Sequence, residues 1–259
     1  VFEKASIEKK GFLMNIIIDK FNSEIFNLKM GNVDYSKDKK LTFEVMDGIQ
    51  KEAVNEKFQH LTIKIPSNDK ESFNIALQSG FIFVDTLIEY YFDFNRAELP
   101  SIDHKCMLRD ACQKDLEILK HIAKVSFSAD RFHSDKNLDN SLCDKYYEHW
   151  IENSFYGFAD KVIVAEYQGQ PVGFTTGKVH QGNPVGRLVL SAVSDSCRGL
   201  GIYTSMIHEG VSWLLEKYGT LNGVMVGTQI ETLAVQKAWV RLGFNVFDSF
   251  YTVQKYLEK

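Results

Sequence analysis

The sequence predicts a mixed α/β protein made of two halves with a related pattern. Three observations lead there. The order strand, helix, Gly-Phe, strand occurs twice. A hydrophobic strand also enters an amphipathic helix through a loop holding two glycines and one arginine. Finally, with 259 residues, 44% of them hydrophobic and 25% charged, the chain has the composition of a globular protein able to bury a sizeable core.

In the first half, Leu61-Thr62-Ile63-Lys64-Ile65 alternates as a strand does. Ser67, Asn68 and Asp69 offer helix caps, and Phe73, Ala76 and Leu77 follow at helical spacing. Gly80-Phe81 ends that helix, and the chain resumes as a strand over 81–86. In the second half, Val224-Met225-Val226 is the strand, and Val235, Ala238, Trp239 and Leu242 form the helical stripe. Gly243-Phe244 then leads into a strand over 244–249. Both copies end in an Asp followed by a small hydroxyl residue, Asp85-Thr86 and Asp248-Ser249.

The polar stretch Phe94–Asp103 carries one of only four prolines and follows an aromatic strand, so it serves as the linker. This divides the chain into residues 1–100, a smaller half, and 101–259, a larger mixed-sheet domain. Within the larger half, Leu116, Leu119 and Ile122-Ala123 give one helical stripe, and Tyr146-Tyr147 to Ile151 give another. Strands over 162–167 and 172–176 flank Gln168-Gly169-Gln170-Pro171 as a hairpin. Leu188–Val193 is a further strand, and Ile202, Met206, Ile207, Val211, Leu214 and Leu215 line a helix that stops at Gly219.

Charge and cysteine usage exclude several function classes. The formal net charge of -4 supplies no global basic field for nucleic acid or an anionic membrane. No apolar run approaches the roughly 20 residues of a membrane span. Residues 12–18 are too few and lack a cleavage pattern, while a start at Val1 fits the loss of a few leading residues. Cys106, Cys112, Cys143 and Cys197 show neither C-x-x-C spacing nor a paired His, so no metal site or disulfide framework is expected, and a cytoplasmic location fits.

The junction Val193-Ser194-Asp195-Ser196-Cys197-Arg198-Gly199-Leu200-Gly201-Ile202-Tyr203 carries the chemistry. Gly199 and Gly201 let backbone approach a ligand, N–H groups at the helix start point outward, and Arg198 adds positive charge. Together they suit a phosphate or pyrophosphate.

The order strand, Arg-Gly-Leu-Gly, helix, strand, helix ending in Leu-Gly-Phe, and last strand resembles the GNAT N-acetyltransferase superfamily over roughly residues 104–259. The resemblance implies a GNAT acyltransferase fold preceded by a degenerate GNAT-like half. It implies acetyl-CoA as acyl donor, with Leu190, Ser191, Ala192 and Val193 beside the pantetheine arm and Arg198, Gly199, Leu200, Gly201, Ile202 and Tyr203 around the pyrophosphate. The two-part chain further resembles the dTDP-4-amino-4,6-dideoxygalactose N-acetyltransferases, through Asp19–Phe26 and through Gly227-Thr228-Gln229 with Arg241-Leu242-Gly243-Phe244. That narrower likeness implies a nucleotide-linked amino sugar as the amine acceptor, no nucleic-acid or membrane partner, and a monomer or homodimer. A peptide, polyamine or antibiotic amine is the alternative acceptor, and a non-catalytic module binding CoA or a metabolite is the alternative class.

The chain departs from the family at the helix before Gly-Phe. Where many members carry Asn and, seven residues on, Tyr, it has Thr232 and Trp239, and an indole cannot protonate a thiolate as a phenol can. The phosphate loop ends in Tyr203 rather than Gly or Ala. Tyr203 is therefore the candidate acid, or else a Tyr packed over the first helical turn. Glu231 is the candidate base, although Thr228-x-x-Glu231 also reads as a capping box. Tyr251, His180 and the run Asp130-Arg131-Phe132-His133 are candidate acceptor contacts, each with a structural alternative: a cross-strand aromatic, an exposed turn and a solvated loop. His208 reads as a surface residue and Trp239 as core.

Overall fold

The computed structural model describes residues 14–35, 40–127 and 130–257. They form ten strands and seven α-helices in two compact units. One unit comprises 1–87 with 248–259, the other 88–247. The division therefore falls inside two long strands, β4 (Ile82–Asp93) and β10 (Asn245–Tyr256), each of which carries the chain from one unit to the other. The sequence-based boundary at residue 100 differs from this. The stretch after Phe94 lacks regular structure, yet Phe94, Ala97, Leu99 and Ile102 pack on the core of the larger unit, and the last strand from Asp248 onward belongs to the smaller one.

In the smaller unit, β1 (Ile16–Ile18) pairs antiparallel with β2 (Met30–Val33), β2 runs parallel to β3 (His60–Pro66), and β3 pairs antiparallel with β10. Asp19 caps α1 (Lys20–Phe26) by accepting from the Asn22 N–H at 3.0 Å. α2 (Phe43–Asn55) starts at Thr42, whose hydroxyl accepts from the Val45 N–H at 3.2 Å, and buries Met46, Ile49 and Ala53 along one face. The cap of α3 (Lys70–Gln78) is Asp69, the last of the three candidate residues, accepting from the Ser72 N–H at 3.1 Å. Met46, Ile49, Leu61, Ile63, Ile65, Phe81 and Val253 make the core. Each such side chain contributes roughly 1.5–3 kcal/mol by leaving water.

In the larger unit the sheet order is β4, β9 (Gly223–Gln229), β8 (Val185–Val193), β7 (Gln170–Val179), β6 (Lys161–Tyr167), β5 (Met107–Asp110). Strands β5 to β8 pair antiparallel, and β8 runs parallel to β9. The β6–β7 turn is tight because Gln168 and Gly169 both take positive φ, 53° and 77°. One face of this sheet carries α6 (Ile202–Lys217) and α7 (Leu233–Arg241), packed through Leu188, Ile207, Val211, Leu214, Val224, Val226 and Trp239. α4 (Leu116–Ser126), burying Leu119, Ile122 and Ala123, packs on α5 (Asn140–Asn153) and on β7 and β8.

The two copies of the repeat fold alike. Gly80 and Gly243 close α3 and α7 at φ +85° and +96°, a conformation in which a side chain is strained. Phe81 and Phe244 follow, both buried. Among the described residues, no helix is long and apolar enough to cross a membrane.

Candidate functional site

The loop after β8 leads into a helix start that no side chain caps. Asp195–Cys197 form one tight helical turn, Arg198 is extended, and Gly199 and Gly201 take φ +80° and +81°. Gly201 is the residue at which α6 begins, no side chain caps that start, and no acidic residue lies in the first turn. The first N–H groups of α6 thus keep their donor capacity for an outside acceptor. Arg198 pairs with Asp195 at 2.7 Å, but both side chains are more than half exposed. Such a pair is weak in water and readily exchanged for a phosphate. Ile202 is buried and anchors the helix start, while Leu200 stays exposed.

A second cation reaches the same place. Lys105 donates its backbone N–H to the Ser205 hydroxyl at 3.1 Å, its stem crosses Gly201, and its ammonium pairs with the exposed Asp103 at 2.6 Å. Nothing in the local sequence marks Lys105, which lies in the polar stretch after the linker. Beside it, the segment is tied to α6 by His208, whose ring nitrogens meet the Pro100 carbonyl at 3.0 Å and His104 at 3.1 Å. His208 is therefore a partly buried tether rather than a surface residue, and burial lowers its pKa.

The parallel strands β8 and β9 part company above this anchor. Their pairing covers only Val185↔Gly223, Gly186↔Val224 and Arg187↔Met225. Beyond it, Leu188–Val193 keeps a partner on the β7 side alone. The β8 edge turned toward β9 then offers backbone groups to an extended ligand carrying its own amides. Leu190, Ala192 and Val193 line this stretch and are buried. The freed part of β8 ends at Val193, and the loop that leads into α6 follows it directly in the chain.

Tyr203 sits in the first turn of α6 and packs on both core clusters beside it, touching the groups around Val193 and around Trp239. Burial pushes its pKa up, and the Trp239 indole N–H acts weakly the other way. The indole is itself buried and closes no regular hydrogen bond. Trp239 is core, as its apolar stripe implies.

The remaining candidates are placed as follows. Thr228 lies within β9 and α7 begins at Leu233 behind Thr232, so the Thr228–Glu231 capping box does not form; β9 runs further than its apolar core suggests. Glu231 is exposed in the β9–α7 turn, at the open end of the splay. Asp130 is buried rather than solvated. It accepts from the Phe132 and His133 N–H groups at 2.6 and 3.0 Å, and His133 bridges it to Asp144 at 3.1 and 3.2 Å. Tyr251 packs on Phe73 and Phe83, with ring centroids 4.4 and 6.2 Å away, in the smaller unit. His180 is exposed just past β7. All four cysteines are free, and the described residues hold no cluster with metal-ligand potential.

Residues 120–244 match the family described as the acetyltransferase (GNAT) family. They form a GNAT-family acetyltransferase domain. This domain includes the loop, the splay and α7. The spore coat polysaccharide biosynthesis protein SpsD of Bacillus subtilis is 26% identical over 139 residues, which is 53% of this chain and 46% of that protein. The chain thus matches about half the length of that curated relative. A conserved, functionally unknown protein of Staphylococcus epidermidis superposes with a TM-score of 0.64 at 14% identity, covering 100% of this chain and 96% of its own. A tandem GNAT protein from the clavulanic acid biosynthesis pathway gives 0.58 at 14% identity, covering 89% and 76%. At such identity these structures establish the fold, and the tandem architecture fits a GNAT domain preceded by a second half of related pattern.

Proposed function

We propose that the GNAT domain acetylates a primary amine, with acetyl-CoA as donor and an amino sugar carried on a nucleotide as acceptor. The observation that carries the donor assignment is the continuity of the uncapped α6 start with the β8–β9 splay. When bound, acetyl-CoA supplies an activated acetyl group on a thiol of pKa about 8–9, a tolerable leaving group.

The chain's residues then have separable tasks. The α6 N–H groups, Arg198 and Lys105 hold the pyrophosphate, each cation exchanging an exposed carboxylate for it. The unpaired β8 edge aligns the pantetheine amides. Alignment itself supplies much of the acceleration for an aminolysis. Tyr203 keeps its phenolic proton, because burial raises its pKa, and delivers it to the departing sulfur. It thereby fills the task of the Tyr that Trp239 replaces. The amino-sugar acceptor draws support from the polysaccharide-biosynthesis relative. A cytoplasmic setting belongs to the same reading and is supported by the four free cysteines.

Isothermal titration with acetyl-CoA, on the intact chain and on Arg198→Glu, tests the donor site. Tight binding lost in the variant supports it, and silence from both overturns it. Release of free thiol on a panel of amino sugars then separates an enzyme from a binding module.

A further inference from the structure

The β7–β8 hairpin sets two basic side chains directly opposite each other, Lys178 against Arg187. Strand alternation puts both on the sheet face away from α6, since a Cβ on their neighbours Gly177 and Gly186 would run into Trp213 and Leu214 of that helix. Like charges facing across a sheet are unfavourable. His180 follows, exposed, with its pKa lowered by partial desolvation and by the charges of Lys178 and Arg187.

The carboxylates nearby are already engaged. Glu89 of β4, mostly buried, meets one terminal nitrogen of Arg187 at 3.1 Å, and Asp160 accepts the Val179 N–H at 2.7 Å. Lys178 lies 4.2 Å over the Phe158 ring, with its ammonium on the Phe158 carbonyl. The other terminal nitrogen of Arg187 meets the Met225 thioether at 2.9 Å, a poor acceptor. Part of the guanidinium fork therefore faces no oxygen, and the side chain is 41% exposed.

Position gives this patch its meaning. Arg187 and Met225 are the last paired residues before β8 and β9 diverge, so Arg187 stands at the vertex of the splay. It is on the opposite face from Tyr203. A donor anchored at the α6 start and laid along β8 points its acyl end toward this vertex. We infer that Arg187 and Lys178, with His180 beside them, bind an anionic group, phosphate or carboxylate, carried by the acceptor amine. The acceptor class is then a phosphorylated or acidic amino sugar, and polyamines and aminoglycosides are disfavoured. This rests on the acyl-transfer reading above.

The test is a titration of glucose 1-phosphate, glucuronate and glucose into CoA-saturated protein, using the intact chain, Arg187→Gln and Glu89→Gln. One of the two anionic sugars binds and glucose does not, the phosphate and carboxylate arms identifying which anion is taken. Arg187→Gln weakens that binding at least roughly tenfold. Glu89→Gln strengthens it, because it removes the competing carboxylate, and CoA affinity stays the same in all three proteins. Equal binding of glucose, silence with both anions, or an Arg187→Gln protein that binds as the intact chain does would overturn the inference. Should Arg187→Gln fail to fold, the sign of the Glu89→Gln change decides, with unchanged or weaker binding counting against it. Failure of CoA to bind the intact chain overturns the donor site separately, and the sugar titration on the unliganded chain still decides the anion patch.

Discussion

Tyr203, in the first turn of α6, packs against the core cluster that holds Trp239 of α7. On the proposed mechanism Tyr203 supplies the hydroxyl that the Trp239 indole cannot. Tyr203→Phe should lower kcat by roughly 100-fold or more while leaving the Kd for acetyl-CoA unchanged. Trp239→Phe should cost far less. Because burial raises the Tyr203 pKa, the proton is retained across the neutral range, and any basic limb due to Tyr203 falls above pH ~10. A Tyr203→Phe enzyme with unaltered kcat would remove Tyr203 from the chemistry.

Arg198 is held by Asp195 at 2.7 Å in an exposed pair, so its guanidinium is positioned at little cost. Arg198→Glu should weaken acetyl-CoA binding roughly 10- to 100-fold by calorimetry. Asp195→Asn should tighten it or leave it unchanged, and both effects should shrink at high salt. A loss that salt does not diminish would argue for misfolding of the loop instead.

The two loop glycines should respond differently. Both hold a left-handed φ that costs a side chain about 1–2 kcal/mol. A Cβ at Gly199 meets open space, whereas at Gly201 it lies 3.1 Å from the Lys105 stem. Gly201→Ala should lower Tm more than Gly199→Ala, and it should weaken donor binding by displacing Lys105. Equal Tm shifts would show that the Lys105 stem yields freely.

Much of this architecture was legible in the residues because it is local. The repeated Gly-Phe after α3 and α7, the Gln168-Gly169 turn and the stripe of α6 each follow from short-range pattern. α2 carries an ordinary signal too, Thr42 ahead of Met46, Ile49 and Ala53, which the strand-centred reading passes over. Other features depend on distant contacts. The splay of β8 from β9 has no sequence mark, since β8 reads as one uninterrupted strand through Leu188–Val193. Lys105 joins the loop only because its backbone bonds Ser205. The unit boundary escapes a search for polar linkers because it lies within β4 and β10, whose apolar side chains serve both units in turn.

The pH dependence of stability should trace to Asp115. This carboxylate is almost fully buried, accepts from both terminal nitrogens of Arg109 at 2.7 and 2.9 Å, and also takes the Cys112 N–H at 2.8 Å. Arg109 in turn holds Glu166 at 3.0 Å, tying β5 to β6. Chiefly through the Arg109 hydrogen bonds, the Asp115 pKa is lowered to about 2. The unfolded carboxylate takes its proton near pH ~3.9, so the folded state gains from Asp115 above that value. This gain, of about 2 kcal/mol, is lost as pH falls from ~4 through 2. Asp115→Asn should be less stable at pH 7, because it leaves Arg109 half-unpaired, and should show a shallower decline between pH 4 and 2. Urea unfolding at several pH values measures both effects; parallel declines in the two proteins would place the acid sensitivity elsewhere.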